Sequence, residues 1–202
     1  MRKQEKIHHN QRKTIRTFVA IEPGENLKML LTDTIEKLKR MGFKGNWTKP
    51  ENIHLTLFFL GNLNMHKIVD IAYKMGERIS GFPSFVYEVE KLGYFAQGDN
   101  LKTLWFGVHG GKTLEGIYSE VKKSIIFNSI DVSKETFVPH ITVGRIKRYP
   151  DHWKALLESI DFERIEIPVD SIGLYSSTLT KRGPIYKKMY TIDFEGGVII
   201  NG

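Results

Sequence analysis

The 202-residue chain contains no cysteine. Disulfides, thiolate zinc sites and thiol nucleophiles are therefore excluded. It has no apolar run long enough to span a bilayer. Its N-terminus carries no apolar signal-peptide core, so the expected compartment is the cytosol and no membrane contact is expected. Acid is the scarcer charge, with 23 Asp and Glu against 30 Lys and Arg, a formal net charge of +7. Such a balance favours phosphate-bearing partners, because phosphates attract Lys and Arg. Part of the excess sits at the start, where Arg2, Lys3, Lys6, Arg12, Lys13 and Arg16 face only Glu5. This stretch lacks hydrophobic periodicity. Residues 1–15 therefore read as a flexible basic tail, with His8-His9 solvated rather than metal-binding.

What is present is an ordinary globular composition, 41% hydrophobic and 26% charged, arranged in two similar halves. Thr17–Ile21 reads as a buried strand and residues 26–41 as a helix, with Leu27, Leu30, Leu31, Ile35 and Leu38 at helical spacing. A loop leads to a strand over Ile53–Leu60, stopped by Gly61-Asn62. A helix over 65–79 and a strand over 85–94 follow. The order then recurs: strand 103–108, helix 114–127, strand 137–146, short helix 151–160, strand 165–175, and a closing strand 186–194. Ile21 lies 33 residues before His54 and Val108 lies 32 before His140. Residues 89–95 and 169–175 share the pattern Val, acid, any, aliphatic, Gly, any, aromatic. The repeat halves run about 16–100 and 101–196, within a single bilobal unit over 16–202. The expected fold is α+β: two pseudo-symmetric lobes, each an antiparallel sheet with helices on its outer face, flanking a central groove.

Each half carries one His-x-Thr triplet, His54-Leu55-Thr56 and His140-Ile141-Thr142. Residues i and i+2 of a strand share a face. Each strand then offers an imidazole and a hydroxyl side by side, backed by Leu55 and Leu57 or by Ile141 and Val143. A single triplet carries little weight, since a His on an apolar strand is usually a packed or edge residue. Its recurrence at one place in both repeats is the signal, because core packing has no reason to choose it twice. Opening a cyclic phosphate needs a base for water and an acid for the leaving oxygen, and imidazole can do either near neutral pH. Threonine hydroxyls can hold non-bridging oxygens as they gain charge. No metal or cofactor is required. A zinc site would need a third ligand, and no Asp, Glu or His repeats beside the pair. His66, His109 and His152 have no counterpart in the other half and read as surface residues.

At these residues the sequence resembles the 2H phosphoesterase superfamily, specifically the bacterial and archaeal RNA 2′,3′-cyclic phosphodiesterases once called 2′-5′ RNA ligases. Arg16-Thr17-Phe18-Val19-Ala20-Ile21 resembles the family's opening strand. Trp47–Pro50 followed by Glu51-Asn52-Ile53-His54-Leu55-Thr56-Leu57-Phe58-Phe59-Leu60-Gly61 resembles its first signature. Phe137–Arg145 resembles the second, and Leu174–Leu179 with Gly183 and Tyr186 the closing segment. The resemblance implies hydrolysis of RNA 2′,3′-cyclic phosphate ends to 2′-phosphomonoesters, with weak reverse 2′-5′ ligation. It implies His54 as proton donor, His140 as proton acceptor, and Arg145 as a phosphate contact. Strict alternation would turn Arg145 away from His140, so a bulge or strand end near Gly144 is expected. Phe18 is expected either to line the nucleotide groove or to join the core, and Tyr175 to contact substrate. Two segments depart from the family: the longer N-terminal tail and residues 94–100.

The quartet handles phosphorus and not the base. Cleavage of 2′-5′-linked oligonucleotides or of small cyclic nucleotides therefore stays open as an alternative. A non-catalytic RNA-binding module on the same fold would be expected to lose one of the four side chains, and all four are present. The expected partner is RNA or an oligonucleotide ending in a 2′,3′-cyclic phosphate, bound by a monomer.

Overall fold

A computed structural model of the chain describes residues 14–132 and 136–201. Residues 1–13, including His8-His9 and most of the basic tail, lie outside the described residues. Among the described residues, apolar side chains at helical spacing build four helices. Helix α1 (Glu25–Arg40) buries Leu27, Leu31, Ile35 and Leu38. Helix α2 (Met65–Ile79) buries Ile68, Ile71, Met75 and Ile79, and starts on the Asn64 side chain, which accepts from the Lys67 N–H. Helix α3 is Gly111–Phe127 and α4 is Trp153–Glu158. Helix α2 packs on α3, and both α3 and α4 pack on strand β4 (Phe85–Gln97). Among the described residues no helix is long and apolar enough to cross a membrane.

The remaining strands are β1 (Ile15–Ile21), β2 (Lys44–Trp47), β3 (Leu55–Leu63), β5 (Asn100–His109), β6 (His140–Arg148), β7 (Ile165–Val169), β8 (Ser171–Thr180), β9 (Gly183–Asp193) and β10 (Val198–Ile200). They form two antiparallel five-stranded sheets. Sheet A runs β10-β9-β8-β1-β3 and sheet B runs β2-β6-β5-β4-β7. The expected α+β architecture of two antiparallel sheets with helices is the one observed. One core cluster includes Val19, Leu55 and Leu174 of sheet A and Tyr87, Phe106 and Ile141 of sheet B. A separate cluster, Phe18, Ala20 and Tyr175 with Tyr186 against it, lies on the opposite face of β1. On that face Phe18 and Tyr186 lie against His54.

Several strands differ from expectation. The single strand expected over 165–175 is two strands in different sheets, broken at Asp170. Lys44–Trp47, read as loop, is an edge strand on β6, and β10 was not expected. Strand β3 passes through Gly61, whose φ of +72° only glycine adopts readily, and ends at Leu63. Strand β1 starts at Ile15, inside the expected tail. Strand β6 starts at His140 rather than at residue 137.

The split at Asp170 reveals the symmetry. β4 pairs with β7 so that Phe85 faces Val169, Tyr87 faces Ile167 and Val89 faces Ile165. Val89 and Val169 are repeat counterparts, so each residue of one half faces the counterpart of its mirror neighbour. A pseudo-twofold axis passes between Tyr87 and Ile167. Across it the halves exchange strands: β4 joins β5, and β8 joins β1. Neither lobe is therefore a sequence half. Pairing also makes Phe106, not Val108, the counterpart of Ile21, because they face Ile141 and Leu55 respectively.

Tyr87, beside the axis, is fully buried, and among the described residues its hydroxyl has no hydrogen-bond partner. Burial pushes its phenol pKa far up. A buried hydroxyl without a partner opposes folding. Tyr87→Phe should therefore stabilise the protein by about 1 kcal/mol, read as a higher urea midpoint at unchanged slope. A lowered midpoint would contradict it.

Candidate active site

The two histidines are held in the same way by different elements. A short 3-10 turn, Pro50–Asn52, delivers His54 to the residue before β3. The Nδ1 of His54 lies 2.7 Å from the Asn52 carbonyl oxygen. The Nδ1 of His140, the first residue of β6, lies 2.7 Å from the Val138 carbonyl oxygen. A carbonyl only accepts, so each Nδ1 donates and each Nε2 is left for chemistry. Asn52 is itself tied down, its side-chain N–H donating to the Pro184 carbonyl at 2.9 Å.

Behind each triplet the strand bulges. Thr56 faces Ala20 and Phe58 faces Val19, leaving Leu57 as the extra residue. Thr142 faces Trp105 and Gly144 faces Leu104, leaving Val143 as the extra residue. After a bulge the alternation is reset. Burial follows: Leu57 and Phe58 are both buried, as are Val143 and Gly144, and the next residues, Phe59 and Arg145, are exposed. Arg145 thus shares a face with His140 and Thr142, and Phe59 shares one with His54 and Thr56. The expected bulge exists one residue earlier than Gly144. The Val143 carbonyl, in the bulge, accepts from the Thr48 N–H at 2.9 Å. The chain leading to His54 is thereby stitched to the strand of His140.

Aromatic rings wall both imidazoles. His54 lies 5.0 Å from Phe18 and 5.2 Å edge-on to Tyr186, and Phe18 stacks on Tyr175 at 5.2 Å. His140 lies 5.1 Å edge-on to Phe95 and 6.1 Å from Trp105. Phe18 is 2% exposed, so it forms the floor under His54 rather than an open surface. Tyr175 is also buried, and its phenol pKa is pushed up by burial and by the Glu22 carboxylate. Glu22 pairs in turn with Lys188. A small cleft beside Tyr175, between Glu22, Asp170, Lys188 and Thr191, is lined by neither histidine.

Burial lowers the His54 pKa, the Asn52 carbonyl works against this, and the His140 charge lowers it further. The two rings therefore lie within electrostatic reach. The Tyr186 phenol, raised by burial, is drawn back by Arg145 from one lobe and Arg16 from the other. Among the described residues no three His, Asp or Glu side chains gather as a metal site would need.

The profile of the LigT-like phosphoesterases matches residues 21–105 and 109–186. The chain belongs to this family. A Thermotoga maritima protein named RNA 2′,3′-cyclic phosphodiesterase is 45% identical over 185 residues, covering 92% of this chain and 98% of that protein. An Aeropyrum pernix protein of the same name is 34% identical over 163 residues, covering 78% and 90%. The fold matches a crystal structure from Thermus thermophilus at TM-score 0.70 and 22% identity, covering 90% and 99% of the two chains. It also matches Escherichia coli LigT complexed with 3′-AMP at TM-score 0.66 and 19% identity, covering 87% and 95%.

For this LigT-like chain, the structure gathers His54, Phe18 and Tyr175 on sheet A, with His140, Thr142 and Arg145 on sheet B. Trp105 and Tyr186 were not anticipated at the site, whereas Phe95 lies in the 94–100 segment expected to border the groove. Phe95 had a signal, as the counterpart of Tyr175 in the recurring 89–95 and 169–175 pattern. Trp105 had none, because pairing makes its counterpart the small Ala20. His66, paired with Asp70, is exposed, as are His109 and His152.

The depressed His54 pKa sets a sign. The native state favours the neutral ring, whereas the unfolded ring titrates at about 6.5. The stability from burying neutral His54 is complete above that pH. It is lost as pH falls through the lower native value. Ring-proton NMR should show His54 titrating below about 6.5, and a midpoint at or above that value would refute the assignment.

Proposed function

We propose that this chain hydrolyses RNA 2′,3′-cyclic phosphate ends to 2′-phosphomonoesters by acid–base catalysis between His54 and His140. The observation that carries this reading is the paired carbonyl clamp: both Nδ1 atoms donate to the backbone, neither Nε2 has a hydrogen-bond partner among the described residues, and the His140 charge is felt at His54. The names of the Thermotoga and Aeropyrum relatives support the substrate class.

Neutral His140 Nε2 takes a proton from water as its oxygen bonds to phosphorus. Protonated His54 gives its Nε2 proton to O3′ as the P–O3′ bond breaks. The products are a 2′-phosphomonoester and a free 3′-hydroxyl. Burial that lowers the His54 pKa makes its imidazolium a stronger acid than free imidazolium, which suits the donor role. The anionic substrate favours protonation of His54 once bound. Thr56 and Thr142 hold the non-bridging oxygens, and Arg145 adds a positive charge beside them. Phe18 and Tyr175 act from below, fixing the plane of His54. The chemistry needs no metal, and one chain supplies both triplets, so a monomer suffices.

In excess EDTA the protein should hydrolyse a nucleoside 2′,3′-cyclic phosphate. His54→Ala and His140→Ala should each lose about 10²–10⁴-fold in kcat. Full activity in either variant, or a wild type inactivated by the chelator, would defeat the mechanism. The product should carry its phosphate on the 2′ oxygen.

The productive state holds one proton between two imidazoles, so kcat/KM should be bell-shaped in pH. Removing either ring should leave a single limb in the residual activity. A profile that keeps both limbs in His54→Ala would assign the second limb to another group.

A further inference from the structure

Two side chains on the sheet A face of the groove are not used by the chemistry above. Alternation along β1 places Arg16, Phe18 and Ala20 on one face. Phe18 and Ala20 belong to the cluster beneath Tyr186, so Arg16 continues that row into the groove. Arg16 is exposed, and among the described residues it forms no ion pair with a carboxylate. Its charge is felt at the Tyr186 phenol, together with that of Arg145. Phe59 is 69% exposed, and its ring lies 6.2 Å from Phe18. It holds, in the first repeat, the position that Arg145 holds in the second. A cation is thus replaced by an open aromatic face at one of two equivalent places.

We propose that Arg16 and Phe59 form a subsite for the last nucleotide of an RNA chain, Phe59 stacking its base and Arg16 binding the phosphodiester on its 5′ side. The proposal rests on the cyclic phosphodiesterase reading. The strand register supplies the order: Thr56 faces Ala20, Phe59 faces Phe18, and Asn62 faces Arg16. The Arg16 backbone is two such rows, about 13 Å, from the Thr56 row, but its charge is felt at the Tyr186 phenol, whose ring lies 5.2 Å from His54. A chain with its reactive phosphate at Thr56 meets the aromatic ring next and the guanidinium after it. Stacking tolerates any base, and a guanidinium matches a phosphodiester in shape and charge. A free nucleoside cyclic phosphate has the base but lacks the 5′ phosphodiester. Arg16 therefore makes the site prefer an RNA end to a mononucleotide.

The test compares cytidine 2′,3′-cyclic phosphate with an ApC dinucleotide ending in the same cyclic group. Arg16→Ala should lower the ratio of kcat/KM for the dinucleotide over the mononucleotide about 10-fold. It should also flatten the salt dependence of the dinucleotide. Arg16→Lys should recover part of the ratio. With the wild-type enzyme, a neutral methylphosphonate link in place of the ApC phosphodiester should erase the preference, a readout independent of how any variant folds. Phe59→Ala should raise KM for both substrates, with recovery in Phe59→Trp but not in Phe59→Leu. An unchanged ratio in Arg16→Ala, an equal loss on both substrates, or an undiminished preference with the methylphosphonate overturns the Arg16 assignment. An unchanged KM in Phe59→Ala overturns the stacking assignment. Turnover of neither substrate by the wild type defeats the cyclic phosphodiesterase reading and the subsite with it. Turnover of both without the expected ratios defeats the subsite alone.

Discussion

The antiparallel contact of β4 with β7 is the constraint on which the rest of the molecule depends. It places counterpart segments of the two repeats against each other about a pseudo-twofold axis between Tyr87 and Ile167. Each half then donates a strand to the other's sheet, β4 to β5 and β8 to β1. A half on its own would leave the edges of β1 and of β5 without partners, and unpaired backbone groups are costly to bury. The groove is therefore a property of the exchanged pair. Its two walls, one from each sheet, are held together by the core they share, which suits the two-imidazole mechanism proposed above.

Within that symmetric frame the local devices are duplicated and the environments are not. Both histidines donate Nδ1 to the carbonyl two residues back, and both triplets are followed by a bulge. Burial lowers the His54 pKa, and the bulges present Phe59 on one side and Arg145 on the other. Glycines at counterpart positions show the same divergence. A Cβ on Gly173 would meet the Tyr175 ring at 2.3 Å, and one on Gly93 would meet the Trp105 ring at 2.3 Å. The same gap under the site is filled from two different strands. Duplication supplied the geometry, and divergence at a few positions made the two sides unequal.

Legibility in the sequence tracked the kind of interaction. Helices α1 and α2 were readable because an apolar stripe at helical spacing is a local record of burial. The α+β class and the His-x-Thr recurrence were readable because a repeat is visible in the letters. Strand β2 was not, because Lys44-Gly45-Asn46-Trp47 has no apolar alternation and is held by one neighbour at a sheet edge. The break at Asp170 was hidden because Ile165–Tyr175 reads as one apolar run, although its two parts bond to different sheets. Trp105 was missed because its structural counterpart is an alanine.

The amino-acid sequence by itself determined the chemistry available: two imidazoles and two hydroxyls at matched places in a duplicated chain, with no thiol and no repeated metal ligand beside them. Tertiary structure alone decided how those groups are arranged. Strand exchange at the axis joins the two halves, the bulges at Leu57 and Val143 bring Phe59 and Arg145 onto the faces of the two triplets, and burial lowers the His54 pKa. The physical reason is that pairing partners and bulges are set by backbone hydrogen bonds between distant segments. Such bonds use the same amide groups whatever the side chains, and so they leave no periodic mark in the sequence.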